Sequence, residues 1–153
     1  MKISKIISPM ILLSVFGLGV LSCAEKATPL GENHIIPKPV SVTQEEVSFT
    51  LSSETKLVAV GHASEINPVI SIFQSLIKPS TGFDLQTAES GESNVIVFEI
   101  ESASQKSPGE YALSIDENSI KIAASNGEGL FNGLQTLRQL MPASLEGKDL
   151  ATE

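Results

Sequence analysis

Three sets of residues in this sequence have types and spacings that could do chemistry. Asp116-Glu117 is an acidic pair, useful for general acid–base catalysis when burial or a fixed neighbour raises one carboxyl. It falls between two alternating runs, residues 110–115 and 119–123, with Asn118 beside it, which is the composition of a hairpin turn. A turn in water raises no carboxyl, so no acid–base role is expected there. The second set, Ser125-Asn126-Gly127-Glu128-Gly129-Leu130-Phe131-Asn132-Gly133, runs from a strand into a helix, where backbone N–H groups can hold a phosphate. Its Gly-x-Gly-x-x-x-Gly spacing is one residue longer than the dinucleotide pattern, and Glu128 would oppose a phosphate charge. A structural role fits better: Gly127 allows a sharp turn, and Gly129 and Gly133 let the helix backbone approach a sheet. The third set is His34 and His62. Neither has a second His, Cys or carboxylate cluster at ligand spacing, so no metal or cofactor is expected, and no Ser-His pair suggests a triad.

One further reactive residue, Cys23, is the only cysteine. Lys2 and Lys5 precede an uncharged apolar stretch, residues 6–21, which is the layout of a secretory signal and is short for a stable membrane span. The stretch ends Val20-Leu21-Ser22-Cys23, which resembles a bacterial lipobox: aliphatic at −3, small at −1, then the cysteine that takes the lipid and becomes the mature N-terminus. A lone exported thiol has no disulfide partner, and lipidation of Cys23 gives it a purpose. Residues 1–22 therefore read as a lipoprotein signal peptide and 23–34 as a tether. The expected location is the cell envelope, as an exported lipoprotein on the periplasmic or outer-membrane face, anchored to a membrane by its acyl chains.

Elements able to position these groups follow from pattern and composition. The chain has 153 residues, which sets a prior of about one domain and excludes a (β/α)8 barrel, which takes at least roughly 200. A net charge of −8 excludes nucleic acid as a partner, since phosphate neutralisation requires a Lys/Arg surplus. Pro37 and Pro39 impose an extended, poorly paired lead-in. Strands are expected at 47–51, 56–60, 83–87, 94–100, 110–115 and 119–123, the almost wholly apolar 94–100 lying centrally. Ile66, Val69, Ile70, Phe73, Leu76 and Ile77 mark a helix capped by Ser64 or Asn67, with Pro68 in its first turn and Lys78-Pro79 ending it. A second helix opens at Asn126-Gly127, buries Leu130, Phe131, Leu134, Leu137 and Met141, and stops at Pro142. The order is β-β-α-β-β-β-β-α, an α+β class: a mostly antiparallel sheet with two amphipathic helices on one face.

Several of these segments carry a resemblance. Ile36-Pro37-Lys38-Pro39, the strands around Tyr111 and Ile120, and the helix Gly127 to Pro142 (G-x-x-x-G-L-x-T-L-x-Q-L-x-P within it) resemble the N-terminal domain of glycoside hydrolase family 20, the β-N-acetylhexosaminidases. The likeness covers residues 35–142, leaving 143–153 as a connector. It implies an accessory α+β domain preceding a catalytic (β/α)8 barrel of the same protein. That barrel hydrolyses terminal N-acetylhexosamine, the sugar's own acetamide attacking the anomeric carbon while an Asp orients it and an adjacent Glu acts as general acid. Those acids belong to a His-x-Gly-Gly-Asp-Glu context that this sequence lacks, so no catalytic role passes to Asp116 or Glu117 and the chain alone is expected to be inactive. The expectation is a truncated reading of a membrane-tethered hexosaminidase. The alternative is a stand-alone, non-catalytic lipoprotein that binds carbohydrate or a protein partner. Arg138, the only arginine, has two readings: a pair with a barrel carboxylate, or a solvated or local helix charge.

Overall fold

The structure is a computed structural model that describes residues 35–101 and 107–145. The signal segment 1–22, Cys23, the tether with His34, and residues 146–153 of the connector lie outside the described residues. The elements are β1 (Lys56–Val60), α1 (Ala63–Thr81), β2 (Gln86–Ala88), β3 (Val95–Ile100), β4 (Tyr111–Ile115), β5 (Ser119–Ala124), α2 (Gly127–Leu140) and a 3-10 turn (Ala143–Leu145). Among the described residues, no helix is long and apolar enough to cross a membrane.

The five strands form one sheet in the order β2-β1-β3-β5-β4, with β3 in the middle. The α+β class holds, with two helices as expected. Pairing directions differ from the expected mostly antiparallel sheet: β1 pairs parallel with β2 and with β3, β3 pairs parallel with β5, and only β4–β5 is antiparallel. The cause is connection, not strand composition. A strand followed by a crossing helix must return parallel, which is how β1, α1 and β2 are joined. The β4–β5 hairpin then docks through its second strand, so β5 runs with β3. Alternating sequence reveals a hairpin but not which of its strands faces the sheet.

The same topology explains the missing strand. Residues 47–51 form no ladder, although Phe49 and Leu51 pack against the core. A short turn joins them to β1, but both edges of β1 are already taken by β2 and β3. That turn is fixed by side chains. Thr55 is fully buried and donates through Oγ1 to Asn94 Oδ1 at 2.6 Å. Asn94 Nδ2 donates to Ser52 Oγ at 3.0 Å, and the Ser52 N–H donates to Thr55 Oγ1 at 3.0 Å. Every member of this triangle is satisfied, which makes a buried hydroxyl tolerable.

Helix α1 buries Ile66, Val69, Ile70, Phe73 and Ile77, the expected stripe, while Leu76 is only half buried. Its ends differ from expectation. His62 occupies the N-cap position without a side-chain cap bond, Pro68 lies beyond the first turn, and the helix runs through Pro79 to Thr81. Both prolines are on the exposed side, where a carbonyl deprived of its helical donor can meet water. The helix ends at Gly82, whose N–H donates to the Lys78 carbonyl at 2.9 Å.

Helix α2 lies beside α1 and buries Leu130, Leu134 and Leu137, but Phe131 is 40% exposed. The reason is the glycines. The contact stripe is centred toward Gly129 and Gly133, which turns Phe131 to the outer side. A Cβ on Gly129 would strike the Glu110 carbonyl oxygen and lie 2.7 Å from the Ala124 Cβ. A Cβ on Gly133 would strike Ile122 Cγ2 and come within 3.2 Å of the Tyr111 ring. The helix backbone therefore rests directly on the β4–β5 hairpin. Between the helices and the sheet lie Leu57, Ile96, Phe98 and Ile122, with Phe98 tilted against Phe73 at a centroid distance of 6.1 Å. On the other face of the sheet Glu99 pairs with Lys121.

Replacing Gly129 or Gly133 by Leu should destabilise the fold by about 1–3 kcal/mol, because neither backbone nor core can yield the space. Thermal melting checks this, and unchanged midpoints in both variants would contradict the contact.

Candidate functional site

The glycine turn into α2 is the position where a bound anion would be most natural, and the chain fills it itself. Asn126, extended at φ −159°, caps the helix: its Oδ1 accepts from the Gly129 N–H at 2.9 Å. The Gly127 N–H donates to Glu65 Oε2 of α1 at 2.9 Å. A carboxylate from a neighbouring helix thus sits where a phosphate would sit, favoured by the same helix-end dipole. Glu128 adds a second negative charge in the first turn. The arrangement ties two helices together; it does not cradle a nucleotide. His62, next to α1, holds its Nδ1 3.5 Å from Glu65 Oε1 at the surface.

Asp116 and Glu117 lie at the tip of the β4–β5 hairpin, both exposed. Asp116 Oδ1 accepts from the N–H groups of Asn118 and Ser119, each at 2.7 Å, and Oδ2 accepts from Ser119 Oγ at 2.8 Å. The Asn118 N–H, then the Ser119 hydroxyl and N–H, hold the Asp116 carboxyl below the ordinary value of 3.8. A general acid needs the opposite shift. Asp84 is lowered too, by the Lys78 ammonium 2.7 Å away. Both carboxylates are surface fasteners. Among the described residues, no group of three His, Cys, Asp or Glu side chains could hold a metal.

Among the described residues, a cleft of about 390 Å³ runs along one side of α2, formed by Asn132, Gln135, Thr136 and Gln139 against Tyr111, Gly109 and the lead-in at Ile36-Pro37. Its polar groups face one another. Tyr111 Oη and Thr136 Oγ1 share a hydrogen bond of 2.5 Å, and Asn132 Nδ2 donates to the Gly109 carbonyl at 3.0 Å. Gln139 clasps the lead-in by its backbone: Nε2 donates to the Ile36 carbonyl at 2.9 Å, and Oε1 accepts from the Ile36 N–H at 2.8 Å. Arg138 Nη1 donates to Gln135 Oε1 at 3.2 Å, a local contact on the same helix. Neither the Gln139 clasp nor the Glu65 cap was legible in the sequence, because their partners are 103 and 62 residues away. The proline-rich lead-in and the Asn126 cap were.

Comparison with known proteins gives this fold its family. Residues 32–152 match the model of glycosyl hydrolase family 20, domain 2. The chain belongs to glycoside hydrolase family 20, in the part of the family that this domain represents. It is 28% identical over 141 residues to a beta-hexosaminidase of Porphyromonas gingivalis, covering 86% of this chain and 18% of that protein. Among solved structures it is similar to the family 20 beta-N-acetylhexosaminidase of Streptomyces coelicolor A3(2), with TM-score 0.67, 29% identity, and coverage of 78% of this chain and 24% of that one. It is also similar to the family 20 exo beta-N-acetylglucosaminidase of Vibrio harveyi, solved with N-acetylglucosamine, with TM-score 0.60, 25% identity, and coverage of 82% and 18%. The chain spans less than a quarter of the length of each of these relatives.

Because the folded chain favours the ionised form of Asp116, the stability this carboxyl contributes is full above pH 3.8 and is lost as pH falls through the lowered value. Asp116→Ala should melt below the parent at neutral pH, with the gap narrowing under acid conditions. A gap that stays constant or widens on acidification would contradict the hairpin assignment.

Proposed function

We propose that this chain is the accessory N-terminal domain of a membrane-tethered β-N-acetylhexosaminidase that removes terminal N-acetylhexosamine residues. Residues 35–142 form the accessory domain and 143–153 the connector into a catalytic (β/α)8 barrel of the same protein. The barrel supplies the Asp-Glu pair that works with the substrate acetamide. Residues 1–22 are the export signal, Cys23 carries the lipid, and 23–34 tether the domain to the cell envelope, on the periplasmic or outer-membrane face.

The observation that carries the reading is the match of residues 32–152 to domain 2 of the family, with hexosaminidases as the relatives. The described carboxylates support it from the opposite direction. Glu65 caps a helix, Asp84 pairs with a lysine, and Asp116 closes a turn. Asp84 and Asp116 are both held below the ordinary carboxylate value, the opposite of what a general acid needs, which fits a reading that leaves acid catalysis to the barrel.

Residues 23–153 and the product of the whole reading frame should be compared on a chromogenic N-acetylglucosaminide, alongside metabolic labelling with a fatty-acid analogue. Turnover is expected only from the long product, and label only when Cys23 is present, not in Cys23→Ala. Hydrolysis by the short chain, or a downstream frame without a barrel, would overturn the proposal.

A further inference from the structure

The sequence holds two Asn-Gly pairs, Asn126-Gly127 and Asn132-Gly133. In such a pair the glycine nitrogen, unhindered by a side chain, can attack the asparagine side-chain carbon and close a succinimide ring. The fold treats the two pairs differently. Asn132 and Gly133 lie inside α2, where the Gly133 nitrogen belongs to the helical ladder and its backbone rests on Ile122 and Tyr111. Asn126-Gly127 straddles the helix start, where a backbone N–H has no helical partner. Each reacting group there is held by one contact: the Gly127 N–H donates to Glu65 Oε2 of α1 at 2.9 Å, and Asn126 Oδ1 accepts from the Gly129 N–H at 2.9 Å. Ring closure must bring the Gly127 nitrogen in line with the Asn126 Cβ about the Cα–C bond, whereas ψ of 174° at Asn126 keeps the two staggered.

We propose that Asn126 is a latent self-modification site, converting spontaneously to aspartate and isoaspartate, and that Glu65 holds it unreacted by binding the Gly127 N–H. The chemistry needs only water and does not rest on the proposed function. Once the first turn of α2 opens, the Gly127 nitrogen gives its proton to solvent base and bonds to the Asn126 side-chain carbon. The C–N bond of the side-chain amide breaks, and ammonia leaves with a proton from water. Water then opens the ring at one of its two carbonyls. Cleavage of the new bond leaves aspartate; cleavage of the original peptide bond leaves isoaspartate, in which the main chain runs through the side-chain carbons. Isoaspartate puts one more carbon into the main chain at the point where Asn126 caps Gly129 and Gly127 meets Glu65, so both contacts are lost. Aspartate keeps a capping oxygen but adds a charge beside Glu65 and Glu128. Either product is irreversible, and the first unties α2 from α1.

The purified protein is aged in mildly alkaline buffer and digested, and aspartate and isoaspartate at positions 126 and 132 are quantified by peptide mapping. Glu65→Ala should speed conversion at Asn126 roughly tenfold, as for an opening no longer opposed by a charge-assisted hydrogen bond, and leave Asn132 unchanged. Glu65→Gln, which keeps an oxygen for the Gly127 N–H, should convert more slowly than Glu65→Ala. In denaturant all three proteins should convert at one rate. An unchanged rate at Asn126 in Glu65→Ala would overturn the proposal, and a slower one would make Glu65 the base that promotes attack and overturn it equally. A rise at Asn132 in step with Asn126 would mean that the variant loosens the whole fold, which also contradicts a local hold by Glu65. Rates that still differ in denaturant would trace the effect to something other than the folded contact and count against it as well.

Discussion

The structure depends on a helix resting directly on a hairpin. With no side chain at Gly129 or Gly133, the α2 backbone reaches the Glu110 carbonyl, Ala124, Ile122 and Tyr111. That closeness sets the height of the helix above the sheet, and therefore where its two ends fall. At the N-terminal end the Gly127 N–H comes within 2.9 Å of Glu65, which binds α2 to α1. At the C-terminal end Gln139 reaches the Ile36 backbone, which binds α2 to the start of the domain. One helix thus joins segments separated by 62 and 103 residues. A bulkier helix would stand off the hairpin and lose both connections.

What the sequence disclosed, and what it did not, divides along contact distance. The β4–β5 hairpin was readable because its turn is made by Asp116, Asn118 and Ser119, neighbours in the chain. The α2 start was readable because Asn126 caps a donor three residues on. The central place of β3 was readable from its apolar run Val95 to Phe98. Strand direction was not, because it depends on which hairpin strand docks on β3. The extended segment 47–51 has a strand's alternation without a free strand edge beside β1. Phe131 fell on the wrong side because counting apolar residues ignores the glycines that define the contact. Pro79 reads as a stop, yet at the exposed last turn of α1 its missing N–H costs little.

The candidate site shows the same division. Gly127, Gly129 and Gly133 looked structural from the sequence, and Glu65 supplies the reason no anion is needed there. The lead-in prolines and Gln139 both belong to the segments that carried the family resemblance, yet only the fold reveals that one holds the other. A domain whose helix ends, turn and cleft are closed by its own side chains is suited to scaffolding.

The central contact can be measured directly with a double-mutant cycle between Gly133 and Ile122. Gly133→Ala alone adds a methyl that collides with Ile122 Cγ2, and Ile122→Ala alone opens a cavity beneath the helix. If the helix rests on the hairpin as described, the added methyl fits the vacated space. The double variant should then be more stable than the sum of the single losses allows, with a coupling of about 1 kcal/mol in denaturant unfolding. Strictly additive losses would mean that the two residues do not touch, and the account of α2 would fail.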